Sequence, residues 1–89
     1  MATLSVHHKI ADYSKWRAVF DQADLTRRKF GETSFKVYRS AADPLDITVL
    51  TEWPSAENAR AYATSPELKT AMQNAGVISQ PDVAFLESL

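Results

Sequence analysis

Two adjacent histidines, His7 and His8, are the only imidazoles in this 89-residue sequence, and no cysteine accompanies them. They lie within residues 2–10, where Leu4, Val6, His8 and Ile10 alternate with Thr3, Ser5, His7 and Lys9. Successive side chains of a strand point to opposite faces, so His8 shares the apolar face and His7 the mixed one. Neighbours on opposite faces do not readily share a metal, and no HExxH or comparable spacing supplies other ligands, so no metal site is expected. An imidazole in an apolar cleft, with its proton affinity near working pH, suits a general base for a phenol or an activated C–H. The competing reading of His8 is a core histidine bonded to a neighbouring hydroxyl. For His7, which faces away from that cleft, an interface role outweighs catalysis.

Around His8 the sequence supplies aromatic surface. Trp16, Phe20, Tyr38, Trp53 and Tyr62 suit the walls of a pocket for a planar, hydrophobic ligand, although each taken singly also reads as core. Arg39 can hold an anion or a carbonyl, or else pair with Asp43 or Asp46 in solvent. Glu52, between Thr51 and Trp53, needs a partner across a hairpin, such as Lys36 or Arg39. The run Arg27, Arg28, Lys29 reads as a solvated helix face.

Much chemistry is excluded. Without cysteine there is no disulfide, thiolate nucleophile or thiolate-bound metal. Neither a glycine-rich phosphate loop nor a nucleophile elbow occurs. A net charge of −1 without a basic stripe gives no footprint for nucleic acid or an anionic membrane. No apolar segment approaches membrane-spanning length and none resembles a secretory h-region, so a cytoplasmic protein is expected.

The elements that must position these residues follow from periodicity and punctuation. Residues 2–10 alternate as a strand. Asp12 can cap a helix over residues 12–30, whose stripe runs Trp16, Val19, Phe20, Ala23, Arg27, Phe30 and stops at Gly31. Residues 33–40 and 46–53 alternate on either side of the Asp43-Pro44 turn and should pair as a hairpin. The second of these strands, nearly free of charge, should be central and end at Pro54. Ser55 caps a second helix, broken at Thr64-Ser65-Pro66-Glu67 and ended by Gly76, before a last strand at residues 83–87. The β-α-β-β-α-β order is ferredoxin-like, an α+β fold made as one domain of residues 1–89. Right-handed crossovers give strand order 4-1-3-2 with both helices on one face. The other face, offering Tyr38, Leu50 and Leu86 or else Phe35, Val49 and Phe85 according to register, calls for a second copy as cover.

With the opening VHHKIADYSKWRAVFD, the segment TEWPSAENARAYATSPELKTAM and this element order, the chain resembles the dimeric α/β-barrel superfamily that includes antibiotic-biosynthesis monooxygenase-like domains. The resemblance implies a homodimer and a small-molecule cavity inside each protomer, between helices and sheet. Known members include cofactor-free oxygenases, haem-degrading oxygenases, polyketide cyclases and proteins with no shown activity. Haem-degrading members place an axial histidine on a helix, and neither helix here contains one. Two readings stay open: a cofactor-independent oxygenase-like or cyclase/isomerase-like enzyme acting on an aromatic or polyketide-type substrate, with His8 as base, and a non-catalytic module that binds a small ligand or only dimerises.

Overall fold

The two segments that alternate most regularly lie side by side at the middle of one sheet. In the computed structural model, which describes residues 1–89, strand β1 (Ala2–Lys9) pairs antiparallel with β3 (Asp46–Trp53). Strand β2 (Ser34–Arg39) pairs with the outer side of β3, and β4 (Asp82–Glu87) with the outer side of β1. The order is β2-β3-β1-β4, antiparallel throughout, as the crossover argument requires. The fold is ferredoxin-like, and the sheet remains open.

Between the strands run α1 (Tyr13–Gln22), α2 (Asp24–Lys29), α3 (Ala56–Ala63) and α4 (Pro66–Ala75). Local chemistry sets their ends. Asp12 and Ser55 are extended residues whose side chains accept from Lys15 N–H and Asn58 N–H, and Ser65 caps Leu68 N–H with Pro66 in the first turn. Gly76 ends α4 at φ +77°, a conformation that glycine adopts without strain.

One helix was expected over residues 12–30, and the structure has two. Ala23, at ψ near zero, leaves the helical path, and Asp24 opens α2 with its carboxylate in the first turn. Arg27, four residues after Ala23, lies in the core. A second break follows at Gly31, at φ +111°, where a Cβ would stand 2.7 Å from Asn58 Nδ2. That amide donates to the Phe30 carbonyl at 2.8 Å and ties the end of α2 to the start of α3.

All helices pack on the face that carries Leu4, Val6, His8 and Ile10 of β1 and Ile47, Val49, Thr51 and Trp53 of β3, every one of them buried. Leu4, Ile10, Ile47 and Trp53 are essentially fully buried, each contributing about 1.5–3 kcal/mol of burial. The register sends Tyr38, Leu50 and Leu86, not Phe35, Val49 and Phe85, to the open face. On that face Thr3 stands opposite Glu52 and its hydroxyl donates to both carboxylate oxygens, at 2.7 and 2.8 Å. This corrects the expectation of Lys36 or Arg39, because the residue opposite Glu52 on β2 is Ser34. His7 lies there too, with Asp46 against its Nε2 and Asp82 3.5 Å from Nδ1.

Candidate functional site

Where α1, α2 and α4 arch over the centre of the sheet, side chains do not fill the space. A cavity of about 60 Å³ lies between them. Twelve of its fifteen lining residues are hydrophobic, and His8, Arg27 and Thr51, with the phenol of Tyr62, carry its polar chemistry.

The aromatic wall comes from the spacing of α1. Trp16 and Phe20, four apart on one helix face, stack with centroids 5.1 Å apart at 11°, and Tyr13 continues the stack at 5.9 Å from Trp16. Phe35 of β2 meets Phe20 edge-on at 5.0 Å. Across the cavity Tyr62 lines the wall from α3 and stacks on Trp53 at 5.3 Å. Trp53 itself stands behind the lining. Its indole N–H donates to Thr51 Oγ1 at 2.8 Å, and that hydroxyl in turn reaches the Leu4 carbonyl at 3.4 Å.

His8 is 4% exposed, and the indole N–H of Trp16 donates to its Nε2 at 3.1 Å. An indole nitrogen can only donate, so the Nε2 lone pair is engaged and the proton of the neutral ring sits on Nδ1. Nδ1 is buried and finds no hydrogen-bond partner in the protein. Burial, with a smaller push from His7 and against the pull of Asp46, holds the imidazole pKa down at about 4. The ring is therefore neutral near pH 7, a hydrogen-bond donor through Nδ1 and a weak base.

Arg27 is the polar residue that sequence reasoning placed in solvent. It is 2% exposed, its Nε donates to Glu32 Oε2 at 2.8 Å and its Nη1 to the Phe20 carbonyl at 2.7 Å. The guanidinium lies over the Phe20 ring, 3.8 Å from the centroid. Nη2 stands 3.5 Å from Asp24 Oδ1 without forming a hydrogen bond and is the second buried polar atom left without a hydrogen-bond partner. Burial raises the pKa of Glu32 against the opposing pull of Arg27, and burial likewise raises that of the Tyr62 phenol. A signal for this arrangement was present in the sequence. Arg27 continues the Trp16, Phe20, Ala23 stripe, and a charged residue in an apolar stripe marks either its edge or a buried partner.

Of the residues singled out from sequence, His8, Trp16, Phe20 and Tyr62 line the cavity and Trp53 backs it. Tyr38 and Arg39 do not reach it. Tyr38 lies on the opposite face of the sheet, and Arg39, at the end of β2, is exposed.

No family model matches the sequence, and no curated protein matches it. Solved structures do. A candidate antibiotic biosynthesis monooxygenase from Bordetella bronchiseptica superposes with a TM-score of 0.82 at 14% identity, covering 99% of this chain and 96% of that one. SnoaB, a cofactor-independent oxygenase from Streptomyces nogalater, gives 0.78 at 10% identity over 99% of this chain and 92% of its own. Rv0793 from Mycobacterium tuberculosis gives 0.70 at 17% identity over 100% and 96%. The likeness is one of fold: the chain has the ferredoxin-like architecture of the antibiotic biosynthesis monooxygenase-like proteins.

Proposed function

We propose that this chain, built on the fold of the antibiotic biosynthesis monooxygenase-like proteins, binds a small, planar, largely apolar molecule between its helices and its sheet and acts on it in an oxygenase-like or cyclase/isomerase-like manner without a cofactor. The observation that carries this reading is the cavity itself. Aromatic rings of Trp16, Phe20 and Tyr62 wall a largely apolar space that also takes in the polar side chains of His8, Arg27 and Thr51. The likeness to SnoaB supports chemistry of the cofactor-independent kind. His8 enters this reading as a donor to the ligand, because its Nε2 is occupied by Trp16.

A second reading, binding without turnover, draws on one specific feature. The cavity's only imidazole has its pKa held at about 4, so it offers no base poised near neutral pH. One experiment separates the two. Protein incubated aerobically with a panel of single-ring phenols and quinols is followed by oxygen uptake and product analysis, while quenching of tryptophan fluorescence reports binding. Binding accompanied by oxygen consumption supports the enzyme, binding without it supports the module, and neither signal refutes both.

The reading includes a homodimer. Tyr38 and Leu86 are about half exposed on the open face of the sheet with Leu50 between the edges, and a second copy seated there would remove this apolar surface from water.

A further inference from the structure

At about 60 Å³ the cavity is too small for the ligand that its walls suit. An apolar cavity that takes up benzene measures about 150 Å³, so a single-ring compound is admitted only if part of the wall moves. Which part follows from how each helix is held.

Three of the four helices are fastened to their surroundings. Trp16 of α1 donates to His8 of β1 at 3.1 Å, and Arg27 of α2 bonds to Glu32 at 2.8 Å. Helix α3 packs directly on β1 and β3, buries Ala59 and Tyr62, and is tied to Phe30 through Asn58. Helix α4 is held differently. Between Ser65 and Ala75 none of its residues is buried, and no side chain from Pro66 to Ala75 makes a hydrogen bond or an ion pair. Leu68, Ala71 and Met72, all half-buried, are what it lays against the cavity along its length. Its ends are anchored instead. Ser65 Oγ donates to the Tyr62 carbonyl at 2.7 Å; at the other end the Ala11 N–H donates to the Gly76 carbonyl at 3.0 Å and the Ile78 N–H to the Lys9 carbonyl at 2.9 Å. Few buried apolar contacts between two fixed ends mark a segment that opens locally at small cost.

One flank of α4 is thin. An open groove separates it from α1 and α2, and Val19, Ala23 and Ala71 line both that groove and the cavity behind it. On the other flank the longer Leu68 and Met72 stand between the cavity and a groove that reaches Pro81 and Val83. Ala23 is also where α1 gives way to α2.

We propose that α4 is the lid of the cavity, turning on its two anchored ends, and that the ligand enters past Val19, Ala23 and Ala71. This rests on the small-molecule reading of the cavity and deepens it, because it supplies the room that a ring compound needs.

The test needs no ligand. The indole N–H groups of Trp16 and Trp53 are both buried, the first against the cavity and the second behind it on Thr51. Opening of the lid lets water reach Trp16, while Trp53 stays sealed until the whole chain unfolds. Hydrogen exchange of the two indoles is followed by NMR in the wild type and in a variant with Gln22→Cys and Thr70→Cys, whose thiols, both lining the groove, are joined by a short bismaleimide. The chain has no other cysteine to react. In the wild type Trp16 should exchange at least about tenfold faster than Trp53. The cross-link should lower the ratio of the two rates severalfold, whereas a cross-link on the other flank, through Lys69→Cys and Gln80→Cys, should leave it near the wild-type value. Equal rates in the wild type overturn the lid, and so does a ratio that the first cross-link leaves unchanged. A ratio lowered as much by the second cross-link as by the first overturns the entrance past Ala23 and Ala71. The wild-type rates decide the lid even where a variant does not fold. The small-molecule reading has its own test in the phenol and quinol panel, so either can fail without the other.

Discussion

Acid should unfold this protein partly through one buried ring, and His8→Gln should remove that part. In the unfolded chain His8 titrates near its ordinary value of 6.5, whereas in the folded chain burial holds it at about 4. The folded pKa is the lower one, so between these values the unfolded chain binds more protons and stability falls as pH falls. The contribution is intact above the unfolded pKa and fully lost once pH drops below the folded one. At about 1.4 kcal/mol per pH unit the whole gap corresponds to about 3.5 kcal/mol, of which about 2–2.5 kcal/mol is lost between about pH 7 and about pH 4.5. For a domain of this size that lowers Tm by roughly 10 °C or more. Carboxylates titrate over the same range, so the quantity to measure is a difference. Urea unfolding of wild type and His8→Gln, followed by tryptophan fluorescence at fixed protein concentration and both pH values, isolates the imidazole. The wild type should lose about 2 kcal/mol more than the variant on acidification. Equal losses would show that His8 is not held neutral by burial.

Three further outcomes follow from the same packing. Arg27→Met leaves the Glu32 carboxylate buried beside an apolar side chain and should cost about 3–5 kcal/mol in denaturant unfolding, whereas the double change Arg27→Met with Glu32→Gln should recover much of that loss; a mild effect of the single change would mean the pair is solvated. Gly31→Ala places a Cβ 2.7 Å from Asn58 Nδ2 at φ +111° and should destabilise by about 1–3 kcal/mol in the same assay. Leu50→Asp, at the middle of the open sheet face, should shift light scattering from a dimer to a monomer of 9.9 kDa, and a wild type that is already monomeric removes the proposed interface.

What the sequence determined by itself is everything governed by neighbours a few residues away. Period-two alternation placed β1 and β3, and Asp12, Ser55, Ser65-Pro66 and the two glycines marked helix ends at or next to where the backbone has them. These signals act through one turn of helix or one step of strand, so they are written contiguously in the chain. Element order then restricted the topology to one right-handed arrangement, and the sheet order followed.

The tertiary structure alone decided the environment of each polar side chain. Arg27 and Arg28 are adjacent in a basic run, yet one is sealed beneath α2 against Phe20 and Glu32 while the other is exposed. Helical spacing puts Arg27 and not Arg28 on the Phe20 stripe, but that Glu32 returns to pair with it is decided by the turn after α2. Glu52 found its partner 49 residues away, at Thr3, because register and not composition chooses who stands opposite on a neighbouring strand. His8 could be read as facing the helices from alternation. Which of its nitrogens carries the proton depends on Trp16 of another element, whose indole N–H occupies Nε2. Pattern fixes the face on which a side chain lies. Only the assembled chain fixes the dielectric, the hydrogen-bond partner and hence the protonation that decide what the side chain can do.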